Sequence, residues 1–97
     1  MKKRLVKALK ITIEGEMHEI SPKNGKTFEL KEVQDYVEGY IEIVHLNKDL
    51  IMIINEEGKF NKGFNVTATQ IAYQYNAIRD GDYICGDVVV CPSRRLP

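Results

Sequence analysis

Tyr40 to Leu46 is a run rich in β-branched residues, and after only Asn47-Lys48-Asp49 comes Leu50-Ile51-Met52-Ile53-Ile54, apolar at every position. Two such runs across a connection of hairpin length predict a pair of antiparallel strands. The second run constrains the fold more than any other stretch. A strand with one wet face alternates apolar and polar residues, whereas a strand without alternation is buried on both faces. Leu50–Ile54 is therefore expected inside a sheet, and the rest of the chain has to supply its neighbours.

Those neighbours can be read on either side. From Ala8 onward, Leu9, Ile11 and Ile13 alternate with Lys10 and Thr12, the period of a half-buried strand that Gly15 ends. Met17 to Ile20 is a candidate second strand before the turn residues Ser21-Pro22-Lys23-Asn24-Gly25. Over 29–38, Leu30, Val33 and Val37 fall on one helical face among Lys31, Glu32, Gln34, Asp35 and Glu38, and Gly39 supplies the stop. Asn55 to Lys59 reads as a turn and Phe60 to Asn65 as a loop. A second helix is expected to start near Thr67, where Thr67-Ala68-Thr69-Gln70 matches a capping box. Ala68, Ile71, Ala72, Tyr75 and Ile78 form its apolar stripe, and Arg79-Asp80-Gly81-Asp82 closes it. Tyr83 to Cys91 is the last strand, centred on Val88, Val89 and Val90, and Pro92 terminates pairing. The order β-(β)-α-β-β-α-β predicts an α+β domain, a mostly antiparallel sheet of four to five strands covered by two short helices. The 97 residues suit a single domain over 1–97, with 1–4 as a flexible basic start and 92–97 as a C-terminal tail.

Charge and cysteine usage narrow the function. Fourteen Lys plus Arg balance fourteen Asp plus Glu, which argues against a dedicated nucleic-acid-binding module and equally against an acidic DNA mimic. Lys2, Lys3, Arg4, Lys7 and Lys10 crowd the beginning of the chain and leave the remainder net acidic. They read either as gatekeepers of a solvated edge strand or as an arm that touches phosphates. Cys85 and Cys91 lie in one extended segment, which separates their Cα atoms by roughly 20 Å, against the roughly 4.4–6.8 Å of a disulfide. Free thiols fit a reducing cytoplasm. Lys7 and Lys10 interrupt the apolar stretch near the start, so no secretion signal is expected. Leu50–Ile54 falls far short of the about 20 residues of a spanning helix, so no membrane partner is expected either.

No Walker A loop, Gly-x-Gly-x-x-Gly, His-Glu-x-x-His or nucleophile elbow occurs in the chain. His18, His45, Cys85 and Cys91 show no paired ligand spacing, so neither a metal nor another cofactor is expected. His45 shares a strand face with Ile41 and Ile43 and reads as a partly buried or edge histidine, His18 as an exposed one. A cysteine among valines is an inert core thiol, and adjacent Glu56 and Glu57 at a turn are solvated rather than an acid–base pair. The expectation is a protein that is not an enzyme.

Asn55 to Thr69 is the candidate ligand site. Asn55 and Asn65 offer amides and Lys59 and Lys62 offer charge. Phe60 and Phe64 either plug the underside of the loop or stack on a planar ligand. Thr67 and Thr69 stand at a helix start, where free N–H groups favour an anion. The interface candidates are Tyr73, projecting from the second helix beside Arg79, and Arg94 and Arg95, which either clamp a phosphate or belong to a frayed tail.

Three stretches carry a family likeness: Gly39-Tyr40-Ile41-Glu42-Ile43-Val44, Asn55-Glu56-Glu57-Gly58-Lys59 and Gly86-Asp87-Val88-Val89-Val90, with Phe28-Glu29-Leu30-Lys31-Glu32-Val33-Gln34 ahead of them and Asn65 with Ala68-Thr69 between the last two. Over roughly residues 20–91 the chain resembles a family of small uncharacterised proteins encoded by phages, plasmids and gut-bacterial mobile elements, a domain of unknown function. It departs from that pattern in having no proline between Gly63 and Asn65. The resemblance implies a mobile-element setting and brings no catalytic residues. Small proteins from that setting often act by binding. One reading is therefore sequestration of a nucleotide-derived or phosphorylated small-molecule signal as host counter-defence, with a homo-oligomer open. The alternative is a protein–protein interaction module that inhibits a host factor.

Overall fold

The computed structural model describes residues 8–96, so the expected flexible basic start over residues 1–4 lies outside the described residues. Strands β1 (Ala8–Ile11) and β2 (Met17–Ile20) come first, then helix α1 (Leu30–Val37) and strands β3 (Ile41–His45) and β4 (Leu50–Asn55). Helices α2 (Gly58–Asn61) and α3 (Val66–Gln74) and strand β5 (Val88–Pro92) follow, and a 3-10 turn over Ser93–Arg95 closes the described chain. The strands form one five-stranded sheet in the order β2-β1-β5-β4-β3, antiparallel at every pairing. The α+β class and the antiparallel sheet are as the patterning predicts.

The apolar run has the interior position its composition demands. β4 pairs with β3 on one side and with β5 on the other, so that Ile53 lies opposite both Ile43 and Val89. Its side chains divide between two faces. Ile51 and Ile53 join Phe28, Val89 and Cys91 beneath the α1 residues Val33 and Val37. Met52 joins Ile11, Leu46, Val88 and Val90 beneath the α3 residues Ala68 and Ala72. One helix covers each face, which is why β4 and β5 carry no polar alternation. Each large aliphatic side chain buried this way contributes about 1.5–3 kcal/mol.

Several boundaries differ from the periodicity, each for a local reason. Leu30 is 57% exposed rather than part of the buried stripe of α1. Glu32 is buried instead, because its carboxylate accepts the N–H groups of Glu29 and Lys23 and caps the helix start. Glu38, not Gly39, takes the left-handed conformation at the helix end, with φ 63°. The expected loop after β4 contains the single helical turn α2. α3 is capped by Asn65 rather than Thr67 and ends at Gln74, short of the expected Arg79, so Tyr75 falls outside its stripe and is exposed. β5 begins at Val88 rather than Tyr83, because Gly86 turns the chain with φ 90°, and residues 83–87 form only an isolated antiparallel bridge of Cys85 with Phe64. Cys85 therefore lies outside the strand; both cysteines are buried and free.

The end of the described chain is not frayed. Pro92 is the last residue of β5, opposite Leu50. Beyond it the Ser93 N–H donates to the Asp49 carbonyl, the Arg95 carbonyl accepts from the Phe28 N–H, and the Arg95 guanidinium donates to the Lys26 carbonyl at 2.8 Å.

Candidate binding groove

The two asparagines expected to meet a ligand hold the fold together instead. Asn65 is fully buried. Its Nδ2 donates to the carbonyls of Ile11 at 3.2 Å and Gly86 at 2.8 Å, and its Oδ1 accepts the Ala68 N–H at 2.9 Å. Thr69, also buried, donates its hydroxyl to the Asn65 carbonyl and accepts the Ile84 N–H. Together they join β1, residues 84–86 and the start of α3. Asn55 Nδ2 donates to the Val37 and Glu38 carbonyls at 3.0 and 3.1 Å, while its Oδ1 accepts the Glu57 N–H at 2.7 Å. It thereby satisfies the last carbonyls of α1, which a helix end leaves without partners. Gly39 makes room for it: a Cβ there would stand 2.6 Å from Asn55 Nδ2.

The two lysines are also engaged. Lys59 Nζ bonds the Asp82 carboxylate and lies over the Tyr83 ring, 4.8 Å from its centre. Lys62 Nζ bonds the Glu38 carboxylate. The Asp82 contact holds the Lys59 ammonium above its ordinary pKa, and the same contact together with the Tyr83 N–H holds Asp82 below the usual carboxylate range. Lys62 lowers Glu38 in the same way. Phe60 is 87% exposed, and Phe64, half exposed, meets Tyr83 edge to face at 6.0 Å, so neither ring is buried as a plug. Thr67 borders a shallow depression with Met17, Gln70, Ile71 and the interface candidate Tyr73, apart from the other ligand-site candidates.

The interface candidates separate likewise. The Tyr73 hydroxyl donates to the Asp82 carbonyl at 2.6 Å, with the Arg79 carbonyl 3.2 Å away, and braces the return from α3. Arg79 and Arg94 are exposed, whereas Arg95 is tied to Lys26. Burial pushes the Cys85 thiol up and the Cys91 thiol up to about 11, the opposite of what activates a nucleophile.

What the chain does build is a groove of about 550 Å³ where the end of α1, the start of β3 and the turn after β4 meet. Gln34, Asp35 and Glu38 line it from α1, Gly39 and Tyr40 from the entry to β3, and Asn55, Glu56, Glu57 and Asn61 from the return. Four of these residues are carboxylates, and the Tyr40 side is 73% exposed. Carboxylates beside an open aromatic ring suit an ammonium or guanidinium group, which gains charge-assisted hydrogen bonds and a cation–π face. A phosphate meets like charge there. Sequence reasoning singled out Asn55 of this lining and set Glu56 and Glu57 aside. The missing signal is three-dimensional: Asp35 and Glu38 share a lining with Glu56 and Glu57 because Asn55 and the Glu56–Tyr40 backbone bond tie the turn to the end of α1.

Among the described residues no group of His, Cys, Asp and Glu is arranged to hold a metal ion, and no helix is long and apolar enough to cross a membrane. Fold and groove define a small α+β domain whose five-stranded antiparallel sheet carries one helix on each face. The chain belongs to the family described as Domain of unknown function (DUF3846), which it matches over residues 6–95. No curated protein and no solved structure matches it.

Proposed function

We propose that this chain is a non-enzymatic binding protein carried by a mobile element, working in the cytoplasm of its bacterial host, and that its groove takes a basic segment of another protein. The observation that carries this reading is the lining itself: Glu56 and Glu57 stand beside the exposed Tyr40 ring, in one opening with Asp35 and Glu38, whose carboxylates hold Lys31 and Lys62. Sequestration of a nucleotide-derived or phosphorylated signal draws less support, because Lys59 and Lys62, the cations it depends on, already hold Asp82 and Glu38. The interaction reading, a module that inhibits or redirects a host factor, uses the groove as it stands.

A short lysine- and arginine-rich peptide and ADP, each titrated calorimetrically at low and raised salt, separate the two. The peptide is expected to bind the wild-type chain, to weaken with salt as exposed charges are screened, and to lose its affinity in a Glu56→Lys, Glu57→Lys double variant. Binding of ADP with no binding of the peptide overturns the proposal in favour of nucleotide sequestration.

A further inference from the structure

The two outer strands of the sheet are finished differently. β2 is short and exposed, and a Glu16–His18 pair at 3.0 Å stands beside it. β3 carries no lysine or proline, its Ile41, Ile43 and Val44 are half-buried, and among the described residues no strand lies beyond it. The direction of its backbone groups follows from the register. The Glu56 N–H donates to the Tyr40 carbonyl at one end, and the Leu46 N–H to the Leu50 carbonyl at the other. Antiparallel pairing alternates, so Tyr40, Glu42, Val44 and Leu46 turn their backbone groups toward β4, whereas Ile41, Ile43 and His45 turn theirs outward. A row of unpaired outward groups on an edge is a template for another strand.

We infer that this edge pairs with the β3 edge of a second copy of the chain about a two-fold axis, with Ile43 opposite Ile43 and Ile41 opposite His45, so that two sheets become one. In this register every outward-facing residue of each copy meets an outward-facing residue of the other. A shift by two positions strands one residue on each copy, and a shift by one sets outward groups against inward ones. Such a pairing is isologous and requires a surface complementary to itself.

Charge provides that complementarity. At the Tyr40 end of β3 lie the groove carboxylates of Glu56 and Glu57, with those of Asp35 and Glu38 paired to Lys31 and Lys62. At the His45 end lies Lys48, in a turn whose Asp49 carbonyl accepts the Ser93 N–H and so keeps the exposed Arg94 close by. Two cations there outweigh the one carboxylate of Asp49. The acidic end belongs to the α1 side of the sheet, since Gln34, Asp35 and Glu38 come from α1, and Arg95, next to Arg94, is bonded on that side through the Phe28 N–H. Antiparallel pairing turns one copy end for end and keeps the same face on the same side, so each basic end meets the other copy's acidic end. The inference rests, for its charge argument, on the groove's preference for cations proposed above, and it names one protein partner that satisfies that preference.

Sedimentation velocity over a concentration series, with hydrogen exchange on the same samples, tests it. The wild-type chain is expected to be a dimer whose Ile43 and His45 amides gain protection as concentration rises, while those of Glu42 and Val44 are protected throughout by β4. His45→Pro removes an outward donor from an exposed residue and no bond to β4. It is expected to weaken dimerisation about tenfold or more, because each dimer loses the donor twice. Lys48→Glu with Arg94→Glu is expected to weaken it as well. A chain that stays monomeric, or a dimer whose Ile43 and His45 amides exchange as freely as in dilute solution, overturns the inference. The basic peptide separates this from a failure of the groove reading. A wild-type monomer that binds the peptide overturns the dimer alone, whereas a dimer with protected Ile43 and His45 amides supports the pairing, and a monomeric His45→Pro chain that still ignores the peptide overturns the groove's role.

Discussion

Asn55 and Asn65 carry the same side chain, bracket the same segment and are both buried, yet they hold different kinds of structure. Asn65 is sealed beneath α3, where its amide bonds two carbonyls and one N–H from three parts of the chain. Asn55 is 6% exposed and belongs to the lining of the groove, where its amide bonds two carbonyls of α1 and the N–H of Glu57. One closes the interior and the other shapes a surface. The contrast teaches that an asparagine in a polar loop is no more available to a ligand than its backbone neighbours allow. A buried amide must find partners within the protein, and both of these have found them.

The largest expected effect is at the sealed site. Asn65→Ala leaves the Ile11 and Gly86 carbonyls and the Ala68 N–H without their partner in a place water does not reach. A loss of about 3 kcal/mol or more is expected, read as a lowered urea midpoint with the slope of the transition unchanged. Asn55→Ala removes as many bonds, but next to solvent that can replace some of them, and about 2 kcal/mol is expected. It is also expected to weaken the basic peptide, since the turn that holds Glu56 and Glu57 loses its anchor. Equal costs at the two sites, with peptide affinity untouched, break the comparison.

Gly39 sharpens it. The alanine Cβ would stand 2.6 Å from Asn55 Nδ2, so Gly39→Ala must displace the amide. The backbone there has no positive φ, which leaves that contact as the obstacle. A cost of about 1–2 kcal/mol is expected in the wild-type chain and almost none in an Asn55→Ala background, a coupling that a double-mutant cycle on denaturant midpoints measures. Additive costs would place the strain elsewhere than on Asn55.

The same asparagines show where the chain is legible in one dimension and where it is not. The sheet is legible because burial on two faces writes itself as an unbroken apolar run in Leu50–Ile54 and Val88–Val90. Helix boundaries are less so. Asn65 is a stronger cap than Thr67 because its amide also reaches Ile11 and Gly86, partners 54 and 21 residues away. Glu32 looks like a solvated charge until its carboxylate is seen to accept two backbone N–H groups. The site was least legible, for the same reason. Lys59 and Lys62 read as free cations because Asp82 and Glu38, 23 and 24 residues distant, are invisible as their partners. The carboxylates that line the groove come together through the contacts of Asn55 with the end of α1 and of Glu56 with Tyr40.

The smallest expected effect concerns the other end of that helix. Asn55 satisfies the carbonyls at the end of α1 with a neutral amide, whereas Glu32 satisfies N–H groups at its start with a charge. Accepting the N–H groups of Glu29 and then Lys23 holds the Glu32 carboxyl below the usual carboxylate range. The folded chain therefore takes up this proton less readily than the unfolded one. The stability it contributes is fully present above the ordinary glutamate pKa of about 4.3 and is lost as pH falls through the lower, folded value. Asp82 and Glu38, held by Lys59 and Lys62, act in the same direction. Wild-type stability should thus be level from neutral pH to about pH 5 and decline below it. Glu32→Gln keeps an oxygen for the N–H groups and removes the charge. The gap between the two chains, measured by urea midpoints at neutral and acidic pH, should narrow as pH falls. A gap of the same size at both would assign the role of Glu32 to the shape of its side chain, as with Asn55, and not to its charge.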